Sequence, residues 1–230
     1  MTDTHRTNRT RTQRPQGTEG VAPALPTASV DPPERITAAV VGLLVVGFST
    51  WVLLTLPIPA VILVVASVVA FVAWMRTTYA YPVRTRKVIA VYLAAISFQF
   101  VHMSEEYLGG FPHELTELFH TSRDWSEKSF LLTFVFGFGA LWVLAAAGAL
   151  YQLRIANFML WFYALGAGLI NAISHFAFPI INGGYFPGVY TATGHLIMSI
   201  LLIVLLVRES KRIRIEAETG IRTRPDLTDL

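Results

Sequence analysis

The chain has 230 residues, of which 53% are hydrophobic and only 14% are charged, and its mean hydropathy is +0.52. A soluble domain carries about 25% charged residues, so this composition indicates an integral membrane protein. Cysteine is absent, which excludes disulfides and thiolate-bound metals. The net charge of +3 comes from tails and loops that have no DNA-binding fold, so no nucleic-acid partner is expected.

The N-terminal segment differs in composition from everything that follows it. Residues 1–34 are rich in Thr, Arg, Pro and Gly and contain almost no large apolar side chain. Such a segment cannot bury enough apolar surface to offset its conformational entropy, so we expect a disordered basic tail. A cleavable signal peptide would place its apolar run much nearer the start, and the first span is therefore predicted to be retained.

Six apolar segments follow the tail, and a helix needs about 20 such residues to cross a bilayer. The segments are residues 36–56, 60–75, 88–107, 129–150, 155–178 and 189–207. The predicted fold is all-α, with six transmembrane helices. We expect residues 35–86 to form an N-terminal hairpin and loop, residues 87–207 a four-helix core bundle, and residues 208–230 a basic tail.

Basic residues alternate with the spans in a way that predicts topology. The two tails, the 76–87 loop and Arg154 fall on one side of the membrane. The other side receives the 57–59 turn, the acidic 104–128 loop and the uncharged 179–188 loop. Since cytosolic loops carry the excess of Lys and Arg, both termini of a multi-pass protein of the cell membrane are predicted to be cytosolic.

The third span carries ionisable residues close to its external end. His102, Glu105 and Glu106 share one face of a helix, because successive residues are about 100° apart. A charged group in the hydrocarbon core costs about 2.5–3.5 kcal/mol on insertion scales, so such residues usually mark a site. His102 is predicted to lie one turn inside the membrane.

Two further spans place a histidine at nearly the same depth. Asn171 and His175 are four residues apart and share a face of the fifth span. His195 lies one turn inside the sixth span, with Thr191 on the same stripe. A single histidine near a helix end is more often an interhelical hydrogen-bonding residue, but three at matched depth indicate a site. We predict that the rings of His102, His175 and His195 converge within one metal-ligation sphere or one bridging water.

A second candidate lies in the longest internal loop, where His113, Glu117 and His120 are spaced as i, i+4 and i+7. Imidazole and carboxylate groups at this spacing can bind a metal. The preferred interpretation is an amphipathic interfacial helix that turns its apolar residues, such as Leu115, toward lipid.

Three motifs in chain order resemble the HXXEE-domain family of small integral membrane proteins. They are HMSEE at 102–106, NAISH at 171–175 and YFPG at 185–188, and they match the family's H-x-x-E-E, N-x-x-x-H and Y-x-P-G. The resemblance covers about residues 88–207 and leaves the first two spans and both tails outside. It implies a membrane location and an enzymatic role, and it supplies no substrate.

These residues favour a membrane-embedded enzyme that acts on a membrane lipid or another apolar small molecule. In one chemistry a divalent metal, zinc or iron, activates a bound water. The predicted metal ligands are His102, Glu106, His175 and His195. The predicted catalytic residues are Glu105, Glu106, Asn171 and Tyr185, the last as a donor or lid unless it is an interfacial anchor. In the other chemistry no metal is bound, and a desolvated Glu is the acid and a His the base.

Three other classes of function remain open at this stage. A proton-coupled carrier would use the same His and Glu residues as a relay, although the chain lacks the inverted repeat of many transporters. A haem protein would use two histidines as axial ligands, but two adjacent carboxylates contribute nothing to such a pocket. A non-catalytic structural membrane protein is the third.

Overall fold

The computed structural model describes residues 32–56, 60–122 and 125–220, so almost all of the predicted N-terminal tail lies outside it. Within these ranges all regular secondary structure is helical, which confirms that the fold is all-α. The helices are α1 (Pro32–Thr55), α2 (Val61–Arg76), α3 (Arg86–Leu108), α4 (Phe111–Leu118), α5 (Glu127–Leu150), α6 (Arg154–Asn182) and α7 (Val189–Thr219). Of the described helices, α1, α3, α5, α6 and α7 are long and apolar enough to cross a membrane.

The second predicted span, α2, is shorter than the others. Its 16 residues rise about 24 Å, against about 30 Å for a hydrocarbon core, so the number of six spans stays a prediction. The helix is well buried through Ala66, Ala70 and Trp74. Trp74 packs edge-to-face on Phe158 of α6, with ring centroids 5.8 Å apart. The predicted hairpin of α1 and α2 therefore shares the core of the bundle through α2.

Two of the long helices contain a π-helical segment. The segments are Leu131–Phe138 in α5 and Tyr163–Ile170 in α6. A π-helix has i→i+5 hydrogen bonds and a wider turn than an α-helix, and such segments occur often at functional sites. The one in α6 ends immediately before Asn171, so it changes the direction in which the following residues project.

The end of α6 differs from the prediction, which began a loop at residue 179. The helix continues through Pro179 to Asn182. A proline this close to a helix end costs few backbone hydrogen bonds. Its own carbonyl accepts hydrogen bonds from the backbone N–H groups of Gly183 and Gly184. Gly183, with a φ of +75°, ends the helix because glycine adopts the left-handed conformation without strain.

The final helix also corrects the sequence interpretation, which ended the span at residue 207 and began a basic tail. α7 continues to Thr219, and this extension packs against the start of α3. Glu209 is buried and accepts the backbone N–H groups of Arg84 and Thr85 at 3.1 and 3.0 Å. Arg212 donates to both carboxylate oxygens of Glu209 at 2.9 Å. The extension is helical because its Glu and Arg residues pair along one stripe and Glu209 binds the backbone just before α3.

Replacing Glu209 by alanine is expected to lower the free energy of unfolding by about 2–4 kcal/mol. The change leaves two partly buried backbone N–H groups and the guanidinium of Arg212 without the buried carboxylate that accepts from them. Thermal unfolding in detergent measures the loss. Glu218→Ala is the control, since its pair with Arg214 is 3.8 Å long and exposed, and its effect should stay within about 0.5 kcal/mol. Equal effects of the two changes would contradict the stabilising role of the buried Glu209 carboxylate.

Candidate functional site

The predicted ionisable residues meet where the end of α3 faces α6 and the start of α7. His102, Glu106 and His175 are 0%, 5% and 0% exposed, and their ligand atoms lie within 4.8 Å of one another. Nε2 of His175 lies 2.9 Å from Oε1 of Glu106, and Nε2 of His102 lies 3.5 Å from the same oxygen. We call these three residues the His/Glu centre. The structure thus brings together side chains from two predicted spans.

The protonation of His175 follows from its neighbours. Its Nδ1 lies 2.8 Å from the carbonyl oxygen of Pro187, which can only accept a hydrogen bond, so Nδ1 carries the proton. In the neutral ring, Nε2 then presents a lone pair to the Glu106 carboxylate. Two acceptors cannot approach to 2.9 Å without a positive charge between them. A shared proton or a metal cation satisfies this contact.

His102 is held in the same tautomer by a different partner. Its Nδ1 lies 2.6 Å from Oγ1 of Thr191, and that hydroxyl donates its one proton to Oε2 of Glu105, also at 2.6 Å. Nδ1 of His102 must therefore donate, which leaves a lone pair on Nε2. Asn171 donates to this Nε2 from Nδ2 at 3.0 Å. In their neutral forms, both histidines thus direct the lone pair of Nε2 toward the centre.

Glu105, a predicted catalytic residue, has its carboxylate engaged by the first turn of α7. The backbone N–H groups of Tyr190 and Thr191 donate to it at 3.1 and 2.9 Å, in addition to the Thr191 hydroxyl. A carboxylate in this position caps the helix and interacts favourably with its dipole. The geometry makes Glu105 a positioning residue that holds Thr191 against His102, and a direct catalytic role for it stays a prediction.

Tyr185 contacts the outer edge of this arrangement and not the His/Glu centre itself. Its hydroxyl donates to Oε1 of Glu105 at 3.3 Å, and its ring stacks on Tyr190 with centroids 5.0 Å apart. Partial burial raises the pKa of the Tyr185 hydroxyl, and the Glu105 carboxylate raises it further, so the hydroxyl keeps its proton. The side chain is 48% exposed, which fits a donor at the mouth of the site.

His195 does not join the group that could hold a metal. Its ring is buried and packs against His102, with centroids 4.7 Å apart. Neither ring nitrogen has a hydrogen-bond partner in the part of the chain that the structure describes. Thr191, one turn earlier on α7, occupies the position at Nδ1 of His102. The predicted single ligation sphere of three histidines is therefore reduced to two histidines and Glu106.

The turn before α7 contributes to the site more than the sequence interpretation allowed. Gly188 has a φ of +92°, and a Cβ at this position would collide with the His175 ring and lie 3.1 Å from Cε1 of His102. Pro187 supplies the carbonyl that fixes His175 and packs against Gly109 at the end of α3. The sequence signal was present in the YFPG motif at 185–188, but of its residues only Tyr185 was predicted to take part in the site.

The loop candidate does not form a three-residue site. α4 ends at Leu118, and His120 has a φ of +48°, which removes it from the helical stripe. His113 and Glu117 pair at 3.2 Å with both side chains largely exposed. The apolar face of α4 packs into the protein and buries Leu115, whereas the prediction turned it toward lipid.

A cavity of about 100 Å³ adjoins the His/Glu centre between α2, α3, α5 and α6. Glu106 and Asn171 line it, and most of the remaining wall is aromatic or aliphatic. Gln99 also lines the cavity and was missed by the sequence analysis. The signal for it was its position on the polar stripe of α3, seven residues before Glu106.

No protein-family model matches the chain, and no curated protein or solved structure matches it. The resemblance to the HXXEE-domain family therefore stays a prediction. The fold and the site define a helical bundle whose long apolar helices are consistent with a multi-pass membrane protein and whose interior contains a buried His/Glu centre.

Proposed function

We propose that this protein is a membrane-embedded enzyme for a lipid or another apolar substrate, with a divalent metal at His102, Glu106 and His175 as its cofactor. The observation that carries the proposal is the approach of two imidazole Nε2 atoms to one buried carboxylate oxygen. Three protein ligands of this kind with an open position are typical of catalytic zinc sites. Two histidines and one carboxylate are also the ligand set of many non-haem iron enzymes.

The surroundings of the centre support this ligand role. Ligating histidines usually donate their other N–H to an oxygen, and here Pro187 and Thr191 supply that oxygen. A divalent metal held by these residues would lower the pKa of a bound water to near neutral and, as a Lewis acid, would polarise a substrate carbonyl. With a metal on Nε2 of His102, the side-chain amide of Asn171 would no longer donate to that nitrogen. It would instead donate a hydrogen bond to a substrate oxygen. The buried apolar wall excludes bulk water from the reacting groups.

We place the centre near the external face of the membrane, in a six-span topology with both termini cytosolic. The basic segment before α3 and the basic extension of α7 contact each other at the end of the bundle opposite the centre. Basic segments lie on the cytosolic side in most membrane proteins. In this topology the substrate reaches the cavity laterally from the membrane, and water reaches Tyr185 from outside.

Metal analysis of the purified protein is the test. Wild-type protein supplied with zinc or iron should retain a stoichiometric amount of one of them after desalting, and His102→Ala should lose it, because a ligand is removed. His113→Ala is the matched control, since this exposed histidine lies on α4 outside the centre. Vesicle lipids analysed by mass spectrometry should show a product only with protein that holds the metal. Wild-type protein that binds neither ion would contradict the metal centre and favour acid–base chemistry by a proton shared between Glu106 and His175.

A further inference from the structure

Three buried side chains that line the cavity beside the centre each have a polar atom without a partner among the described residues. The atoms are Oε1 of Gln99, Nε1 of Trp125 and Nε1 of Trp142, in side chains that are at most 8% exposed. An unpaired buried donor or acceptor costs about 1–3 kcal/mol, and native proteins rarely leave several in one place. This cavity therefore has both hydrogen-bond donors and an acceptor for a ligand.

A second cavity, of about 450 Å³, lies between α1, α5 and α6 and is lined almost entirely by apolar side chains. Phe138 and Phe162 line both cavities, and their ring centroids are 5.7 Å apart. Phe48 packs edge-to-face on both rings. The two cavities are thus neighbours separated by aromatic side chains, and a change of side-chain rotamer can connect them.

The combined space is long enough for an extended hydrocarbon chain. On α5, the lining residues run from Phe130 in the first cavity to Gly148 in the second. This part of the helix rises by at most about 27 Å, which is the value for a regular α-helix, since its residues 131–138 are π-helical. Half of a bilayer's hydrocarbon core is about 15 Å thick, so the space exceeds the depth of one leaflet.

We propose that the two cavities together bind a single-chain lipid whose head group carries hydroxyl groups. The head group would lie between Glu106 and Gln99, and the chain would pass Phe138 and Phe162 into the second cavity. Hydroxyl groups suit the first cavity because they donate to Oε1 of Gln99 and accept from Nε1 of Trp142. This inference rests on the proposed function, since it identifies the substrate class of the same site.

Binding of hexadecanol, compared with hexadecane, tests the hydroxyl preference without any need for catalysis. Titration followed by thermal unfolding should give a Kd for the alcohol about tenfold lower than for the alkane, as one added hydrogen bond implies. Gln99→Leu and Trp142→Phe each remove one partner of the hydroxyl, so each should reduce this preference, while hexadecane binding persists. Equal affinity of the wild-type protein for the two ligands would overturn the hydroxyl assignment.

A second variant tests the path of the chain. Leu141 lines the second cavity and is 49% exposed, and Val143 on the same helix has the same exposure but lines neither cavity. Leu141→Trp should raise the Kd for hexadecanol about tenfold and leave that for octanol unchanged, while Val143→Trp should change neither. If both variants bind hexadecanol like the wild type, the second cavity does not hold the chain. Metal content is measured in the same samples. Absence of metal would contradict the proposed metal centre, whereas the presence or absence of hexadecanol binding tests the proposed lipid site.

Discussion

Replacing Glu106 by glutamine should abolish metal binding and turnover while the protein stays folded. The amide of glutamine can donate to the lone pair on Nε2 of His175, so the interhelical contact survives without its negative charge. We therefore expect the free energy of unfolding to change by no more than about 1 kcal/mol. Removing a residue that only hydrogen-bonds to a metal ligand already reduces metal affinity by about 10- to 100-fold. Removing a direct ligand should therefore reduce the affinity by more than about 100-fold.

The measurements are the metal content after desalting and the thermal unfolding curve of the same sample. Glu117→Gln is the matched control, because this exposed carboxylate also faces a histidine but lies on α4. It should retain wild-type metal content and stability. A Glu106→Gln protein with stoichiometric metal would contradict the ligand assignment. A variant that no longer folds would instead indicate that the contact between Glu106 and His175 serves stability.

Gly188→Ala is expected to be the most destabilising small substitution in the turn before α7. A φ of +92° is unfavourable for any residue with a Cβ and costs about 1–3 kcal/mol. The new methyl group also collides with the buried His175 ring, and such overpacking costs a further amount of about 1–3 kcal/mol. We expect the free energy of unfolding to fall by about 4 kcal/mol, with loss of metal from the displaced ring.

Two neighbouring glycines separate these contributions. Gly183 has a φ of +75° with no atom within 4 Å of a Cβ, so Gly183→Ala should show the backbone strain alone, about 1 kcal/mol. Gly184 has neither a positive φ nor a close neighbour, and Gly184→Ala should stay within about 0.5 kcal/mol. Thermal unfolding of the three variants gives the order. If Gly188→Ala were no worse than Gly183→Ala, close packing of this turn on the histidines would be contradicted.

The central part of the site could be predicted because helix geometry is local. His102 and Glu106 are four residues apart, as are Asn171 and His175, and this spacing places each pair on one face wherever the helix lies. Matched depth in three spans then predicts that the faces meet. The ring of His195 does pack against His102, with centroids 4.7 Å apart, but it is not part of the group that could hold a metal, and its ligand role stays a prediction.

Other features depend on contacts between elements that are distant in the chain. The extension of α7 is stabilised by hydrogen bonds from Glu209 to the backbone at Arg84 and Thr85, more than a hundred residues away. No local pattern distinguishes that extension from a solvated basic tail. The π-helical segment of α6 likewise shifts the direction of Asn171 and His175 relative to a regular helix.

Composition and the fixed geometry of one helix were enough to predict the apolar helices and to place His102, Glu106, His175 and His195 at a similar depth in long apolar runs. Which of their atoms face each other depends on how the helices pack. The tautomers of both histidines, the capping role of Glu105 and the close approach of Gly188 arise from side-chain and backbone contacts between α3, α6 and α7, and such contacts depend on how the helices pack.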